Sequence, residues 1–283
     1  MENVGLVLEG GGMRGLYTAG VLEYFLEQEL FFPYVVGVSA GACMAATYLS
    51  RQKGRNKKVN TGLVHDPRYL SYRNLFTKRQ LFGMDFLFDE IPNKVVPFDF
   101  DTFLNGKERF SVGTTDCYTG EATYFEKNEH GDNMLQIIRA SSSLPFIAPP
   151  VHYDGKVLLD GGLIDPIPIR KSQMEGFNKN VVIMTKAEDF QRKPTKLASL
   201  ANFFYRSYPT ISGLLQTRHE VYNETLSFLK KEEEQGSTFI IQPSIELPVS
   251  PIERNQKKLI DLYELGYEDA KKQWGELTKW ISS

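Results

Sequence analysis

Apolar residues fall into two kinds of run along the first fifty positions. Residues 4–8, Val-Gly-Leu-Val-Leu, form a short continuous apolar stretch of β type, and residues 34–38 form a second. Runs of this length bounded by turn residues predict buried strands. Between them, residues 16–28 have helical spacing, with Leu16, Val21, Leu22, Phe25 and Leu26 able to share one face. The Ala- and Met-rich stretch 40–49 predicts a second helix. Strand, helix, strand, helix with short connections predicts an α/β fold of three layers, a mainly parallel central sheet covered by helices on both faces. Residues 30–50 carry no charge and are long enough to cross a bilayer, but Pro33, Gly37, Ser39 and Gly41 interrupt them. They read instead as a buried strand, a sharp turn and a buried helix.

Further on, residues 110–115 and 122–126 alternate as strands around a turn at 118–121, which predicts an antiparallel hairpin. A short helix is expected over 133–139 and strands over 157–159, 181–185 and 238–241. Residues 197–231 read as helical on either side of Pro209, and 253–280 as a terminal helix. The stretch 51–60 holds Arg51, Lys53, Arg55, Lys57 and Lys58 with no acid, and leads into a Phe-rich region ending near 103. This reads as an insertion, about 51–105, over the sheet. With no internal repeat and no low-complexity linker, the expectation is one domain across 1–283, with a helical carboxyl-terminal region from about 197.

Composition narrows the function classes. Of 283 residues, 41% are hydrophobic and 24% charged, and 33 Lys+Arg against 35 Asp+Glu leave a net charge of −2. That is a globular composition with no global field for nucleic acid, so an anionic partner has to be recognised locally. The two cysteines, Cys43 and Cys117, lie in apolar stretches and form no Cys-x-x-Cys pair. They suggest neither a disulfide framework nor a thiolate metal site, and a reducing, cytoplasmic setting fits best. The amino terminus enters the first strand directly and does not read as a secretory signal.

Three motifs carry the chemistry. Gly10-Gly11-Gly12-Met13-Arg14-Gly15 follows the first strand and opens the first helix, where glycine amides and a helix N-terminus can hold an anion. A dinucleotide site also needs an acid about 20 residues on, at the end of the second strand. No Asp or Glu occurs from Phe31 to Arg51, which weakens a nucleotide-binding oxidoreductase reading. Where that acid should stand is Gly37-Val38-Ser39-Ala40-Gly41, a Gly-x-Ser-x-Gly turn between strand and helix that can lift the serine hydroxyl out of the sheet. None of the four histidines lies in a turn suited to a catalytic imidazole, and the hydrolase chain order would leave only His219, inside a helical pattern. Asp160-Gly161-Gly162, at the tip of the 157–159 strand, supplies a carboxylate instead. Partial burial would raise its pKa toward a useful value for a base.

Taken in order, these three motifs resemble the patatin-like phospholipases, which use a Ser-Asp dyad. The segment Arg139-Ala140-Ser141-Ser142-Ser143-Leu144-Pro145 is similar to that family too, and the resemblance covers residues 4 to about 185. It implies Ser39 as nucleophile, Asp160 as proton acceptor, the backbone of Gly10, Gly11 and Gly12 as oxyanion hole, and Gly15, Gly37, Gly41, Gly161 and Gly162 as motif glycines. It further implies lipid or acyl-ester substrates, no metal or organic cofactor, and peripheral contact with a membrane surface. A lipid-binding protein with negligible turnover is the other reading. Arg14 is expected either to reach an anionic headgroup or to pair structurally with an acid such as Glu9. The five basic residues and the apolar set Phe76, Leu81, Phe82, Phe86, Leu87 and Phe88 would form a lipid-facing cap, or else ordinary loop and core.

Overall fold

The computed structural model describes residues 2–72, 74–75, 79–195 and 198–283. An eight-stranded sheet runs through it in the order β5-β6-β3-β2-β1-β7-β8, with β4 also paired to β3. The strands are β1 (Val4–Leu8), β2 (Tyr34–Val38), β3 (Arg109–Asp116), β4 (Ala122–Glu126), β5 (Val151–Tyr153), β6 (Lys156–Asp160), β7 (Lys179–Ile183) and β8 (Thr238–Ile241). The central pairs β3-β2, β2-β1, β1-β7 and β7-β8 are parallel, whereas β4, β5 and β6 join antiparallel.

Alternate residues of the central strands face two different layers, as the period of two requires. Leu6, Leu8, Val35, Val181 and Ile183 pack with helices α1 (Gly15–Glu27) and α2 (Ala40–Leu49) and with a long C-terminal helix. Val7, Tyr34, Val36 and Val182 pack on the opposite face with Ile169 and with Tyr222 and Leu229. Those three belong to the short helix Ile169–Met174 and to the helix Thr210–Glu234. The expected three-layer α/β architecture is therefore present, and residues 30–50 are a strand and a helix inside it. Among the described residues no helix is long and apolar enough to cross a membrane.

Several boundaries move for physical reasons. The strand expected over 181–185 ends at Ile183, because the Thr185 N–H leaves the sheet to bond a carboxylate of β1's exit. The terminal helix starts at Gln256, after Asn255 caps it by accepting from Lys258 N at 3.1 Å. Strand β5 and the helix Arg55–Gly62 lay outside the sequence reading, the latter because its charged residues show no apolar stripe. Helix α1 was expected to bury one face, yet Tyr17, Ala19 and Tyr24 are buried as well. The C-terminal helix Gln256–Ser282 covers them, and Tyr17 donates to Asp269 Oδ2 at 3.1 Å.

The two helices touch through glycines. A Cβ on Gly20 would come 1.9 Å from Tyr263 O, and one on Gly266 would come 2.1 Å from Tyr17 O. Gly20→Ala must therefore push the helices apart and should cost about 1–3 kcal/mol in urea unfolding. Unchanged stability would contradict this packing.

Candidate active site

Ser39 stands between β2 and α2 with φ 55° and ψ −125°, a left-handed backbone that a side chain rarely adopts. Glycines make the turn fit. A Cβ on Gly41 would lie 2.6 Å from Leu8 O and 2.7 Å from Glu9 O, so α2 can start against the end of β1 only without a side chain there. The Ser39 N–H donates to Ser141 Oγ at 2.8 Å, and that hydroxyl donates to Gly113 O at 2.6 Å. The elbow is thereby tied to β3. Ser141 had entered the sequence reading only through a resembling segment; its hydroxyl is a positioning group.

Register brings the carboxylate to the serine. Gly113 of β3 pairs with Val38 on one edge and Tyr124 on the other, and the next residue, Thr114, pairs with Asp160 and Thr123. A strand has two edges, and β4 occupies one throughout. Strands β2 and β6 thus meet end to end on the other edge, which sets Asp160 just beyond Val38 and beside Ser39. The two motifs, 121 positions apart in the chain, come together at one point of the sheet.

Asp160 is 1% exposed and Ser39 6%. One carboxylate oxygen, Oδ1, accepts from Gly162 N at 2.7 Å. The other, Oδ2, is buried without a hydrogen-bond partner among the described residues, although the Ser39 hydroxyl is near enough to favour the charged form. Burial pushes the Asp160 pKa above its ordinary value of 3.8, opposed by the positive charge of Arg218, then by the Ser39 hydroxyl and the Gly162 N–H. Arg218 is a residue that sequence reasoning missed. It sits on the helix Thr210–Glu234, donates from Nε to Gly162 O at 2.7 Å, and is itself pushed down to about 10 by burial. Its neighbour His219 has its ring 3.9 Å from Glu220 and no hydrogen bond to Ser39 or Asp160.

The glycine loop divides its work. Of the three amides expected to form an oxyanion hole, Gly10 N–H donates to Pro166 O at 3.2 Å, whereas the N–H groups of Gly11 and Gly12 make no hydrogen bond among the described residues. Gly12 has φ +59° and lines the cavity that holds Ser39. Glu9, buried just before the loop, accepts from the Thr185 backbone, from Thr185 Oγ1 at 2.8 Å and from the Tyr222 hydroxyl at 2.7 Å. Those bonds hold β1's exit against β7 and the helix behind it.

Arg14 does not reach this cavity. Its Nε donates to Val249 O at 2.8 Å, and the side chain lines a separate space on the other side of the loop. The expected pairing with Glu9 is electrostatic only, since Glu9 is already satisfied by three donors.

A cavity of about 140 Å³ opens from Ser39 and runs along α2 past Cys43 and Met44 to Thr47. Thr47 lies eight positions after Ser39, about 12 Å along the helix. Phe82, Leu87, Phe88 and Ile91 line it, so part of the insertion's apolar set shares a cavity with Ser39, whereas Leu81 and Phe86 are buried and do not line it. Phe76 lies outside the described residues. The basic part behaves otherwise. Arg51 pairs with Glu108 and stacks on Phe31, Lys57 pairs with Glu264, and Arg55 donates to Val96 O at 2.9 Å and to Thr47 Oγ1 at 3.2 Å. Only Lys53 and Lys58 of the five stand exposed, so the expected basic face is mostly spent on internal contacts. Cys43 lines the cavity one turn after Ser39, with its thiol pushed up to about 11 by burial.

The family model described as patatin-like phospholipase matches residues 6–171, which contain the glycine loop, the serine elbow and the Asp160 turn. The chain belongs to the patatin-like phospholipase family. Membership in this family places it among lipid ester hydrolases. A second family model, described as a domain of unknown function (DUF6363), matches residues 208–282. The uncharacterized protein YjjU of Escherichia coli K12 is 28% identical over 271 residues, covering 93% of this chain and 74% of that protein. Lysophospholipase NTE1 of Saccharomyces cerevisiae is 25% identical over 262 residues, 87% of this chain but 15% of the yeast protein. The corresponding Candida glabrata lysophospholipase is 26% identical, with 87% and 14% covered. The crystal structure of VipD from Legionella pneumophila aligns with a TM-score of 0.49 at 12% identity, over 96% of this chain and 66% of that one.

Ser141→Ala should leave the Ser39 N–H and the Gly113 carbonyl buried without their partner. The expected cost is about 1–3 kcal/mol of stability in urea unfolding, with Ser141→Thr costing less. A silent Ser141→Ala would mean that the elbow holds itself.

Proposed function

We propose that this protein hydrolyses the carboxylic ester of an acyl lipid, of phospholipase A or lysophospholipase type, through a Ser39-Asp160 dyad and an acyl-enzyme. The observation that carries the reading is the end-to-end meeting of β2 and β6, which sets an unpartnered Asp160 oxygen beside a serine on a left-handed elbow. In this mechanism Ser39 Oγ attacks the ester carbonyl carbon and Asp160 takes its proton. The oxyanion meets the free N–H groups of Gly11 and Gly12, near the N-terminus of α2, where negative charge is favoured. Asp160 returns the proton to the departing alcohol. A water then gives its proton to Asp160 and attacks the acyl carbon, and the fatty acid leaves as Ser39 is restored.

An apolar acyl chain suits the cavity along α2, whose lining is mostly apolar, with Met, Leu, Ile and Phe side chains prominent in it. The names of the yeast relatives point the same way, toward lysophospholipids. Contact with a lipid surface belongs to this reading. Phe203 and Phe204 are each 64% exposed, and Phe204 packs edge-on against Phe146, two residues from the cavity-lining Leu144. The carboxyl-terminal region is read as part of the same domain, because β8 extends the sheet and the terminal helix packs on α1.

With a p-nitrophenyl acyl ester, Ser39→Ala and Asp160→Asn should each fall below about a hundredth of wild-type turnover, while His219→Ala stays near wild type. Asp160→Asn at more than that level would remove the carboxylate from the mechanism, and a large loss in His219→Ala would restore a triad.

The pH profile gives a separate check. Asp160 must be ionised to accept a proton, so kcat/KM should fall as pH drops through its pKa, which lies above 3.8 because of burial. Arg218 holds that pKa down, and Arg218→Met should move the acid limb to higher pH. A limb that stays in place or moves down would assign it to another group.

A further inference from the structure

Behind the glycine loop lies a second cavity, about 310 Å³, that the proposed reaction leaves unused. Gly12 and Met13 line the acyl cavity and Arg14 lines this one, so the loop is their shared wall. Thr185, also in the second cavity, would touch a Cβ on Gly11 at 2.8 Å.

Two cations line this space, and neither is held in a close ion pair among the described residues. Lys186 is 9% exposed, and its Nζ is buried with no hydrogen-bond partner among the described residues; only the Phe190 ring lies against it, 4.9 Å from the centroid. Arg14 spends Nε on Val249 O, and its two terminal nitrogens make no hydrogen bond among the described residues. Among the described residues neither cation has a carboxylate within 4.0 Å. Glu9 behind the loop, and more weakly Glu246 in the wall, support the Arg14 charge from farther off, and the Thr185 hydroxyl is committed to Glu9. The lining thus holds two cations and one carboxylate. An ammonium buried without a partner is costly, so an anion entering here recovers what folding gives up.

The planar fork of Arg14 and the compact ammonium of Lys186, both in the lining of one cavity, suit phosphate oxygens better than a lone carboxylate. Phe190, Leu247 and Leu262 line the remaining space, which leaves room for a small organic body. We propose that this cavity binds a phosphate group carried on a small organic body, held by Arg14 and Lys186. The phosphate belongs either to the headgroup of a lipid substrate or to a free phosphate ester acting on the loop from behind.

The test is calorimetric titration of the full chain with glycerol 3-phosphate at fixed ionic strength, for wild type, Lys186→Met and Lys186→Arg. Because binding is read on the protein alone, its outcome is independent of whether Ser39 turns over an ester. Wild type should bind, Lys186→Met should bind at least about tenfold more weakly, and Lys186→Arg should keep most of the affinity. Without ligand, Lys186→Met should melt higher than wild type, which also shows that it folds. Equal affinity in wild type and Lys186→Met, or no binding by wild type at about 50 mM ligand, overturns the proposal. Kinetics then assign the source. A headgroup site makes glycerol 3-phosphate compete with a lysophospholipid, and Lys186→Met raises KM for that substrate but not for a monoacylglycerol. A free-ester site makes glycerol 3-phosphate change kcat on both substrates equally, and the change is lost in Lys186→Met.

Discussion

The left-handed backbone at Ser39 is the constraint on which the rest of the site depends. A non-glycine residue there carries strain, and it persists only where the surroundings over-determine it. Here they do. Gly41 lets α2 begin within contact of the Leu8 and Glu9 carbonyls, Gly15 lets α1 pass Ala40, and Ser141 ties the elbow amide to β3. The sheet and the helical layer on one of its faces converge on this residue, and the outcome is a serine in the lining of an apolar cavity.

Asp160 answers that serine from an environment that works against its charge. Burial raises its pKa, while Arg218, the Ser39 hydroxyl and the Gly162 amide lower it. A carboxylate balanced in this way is more basic than one in water, which suits the proton acceptor proposed above. The glycine after the turn serves the balance too, since a Cβ on Gly162 would come 2.9 Å from Asp160 Oδ1 and 3.4 Å from Arg218. Glu9 performs a structural counterpart on the opposite side of the loop, where its three donors fix the strand exit from which Gly11 and Gly12 hang.

Much of this was legible in the residues because the motifs act locally. Strand β2, helix α2 and the turn between them follow from apolar runs and two glycines, and β1 with its glycine loop follows likewise. What stayed hidden depends on partners distant in the chain. Arg218 looked like one more charge on a helix until the fold set it against Gly162, 56 positions away. The basic run at 51–58 looked like a solvated or lipid-facing face, but Glu108 and Glu264, which no spacing rule connects to it, engage two of its members in ion pairs. Arg14 was placed beside the oxyanion by proximity in sequence. One residue of 3₁₀ turn rotates it into the other cavity.

The central claim is that Ser39 is a nucleophile activated by Asp160. Labelling of the folded protein with a fluorophosphonate, followed by peptide mass mapping, tests it most directly, because an adduct forms only on an activated hydroxyl. The account predicts a single adduct on Ser39, formed much more slowly in Asp160→Asn and absent after unfolding in urea. No adduct on Ser39, or labelling of Asp160→Asn at the wild-type rate, would contradict it.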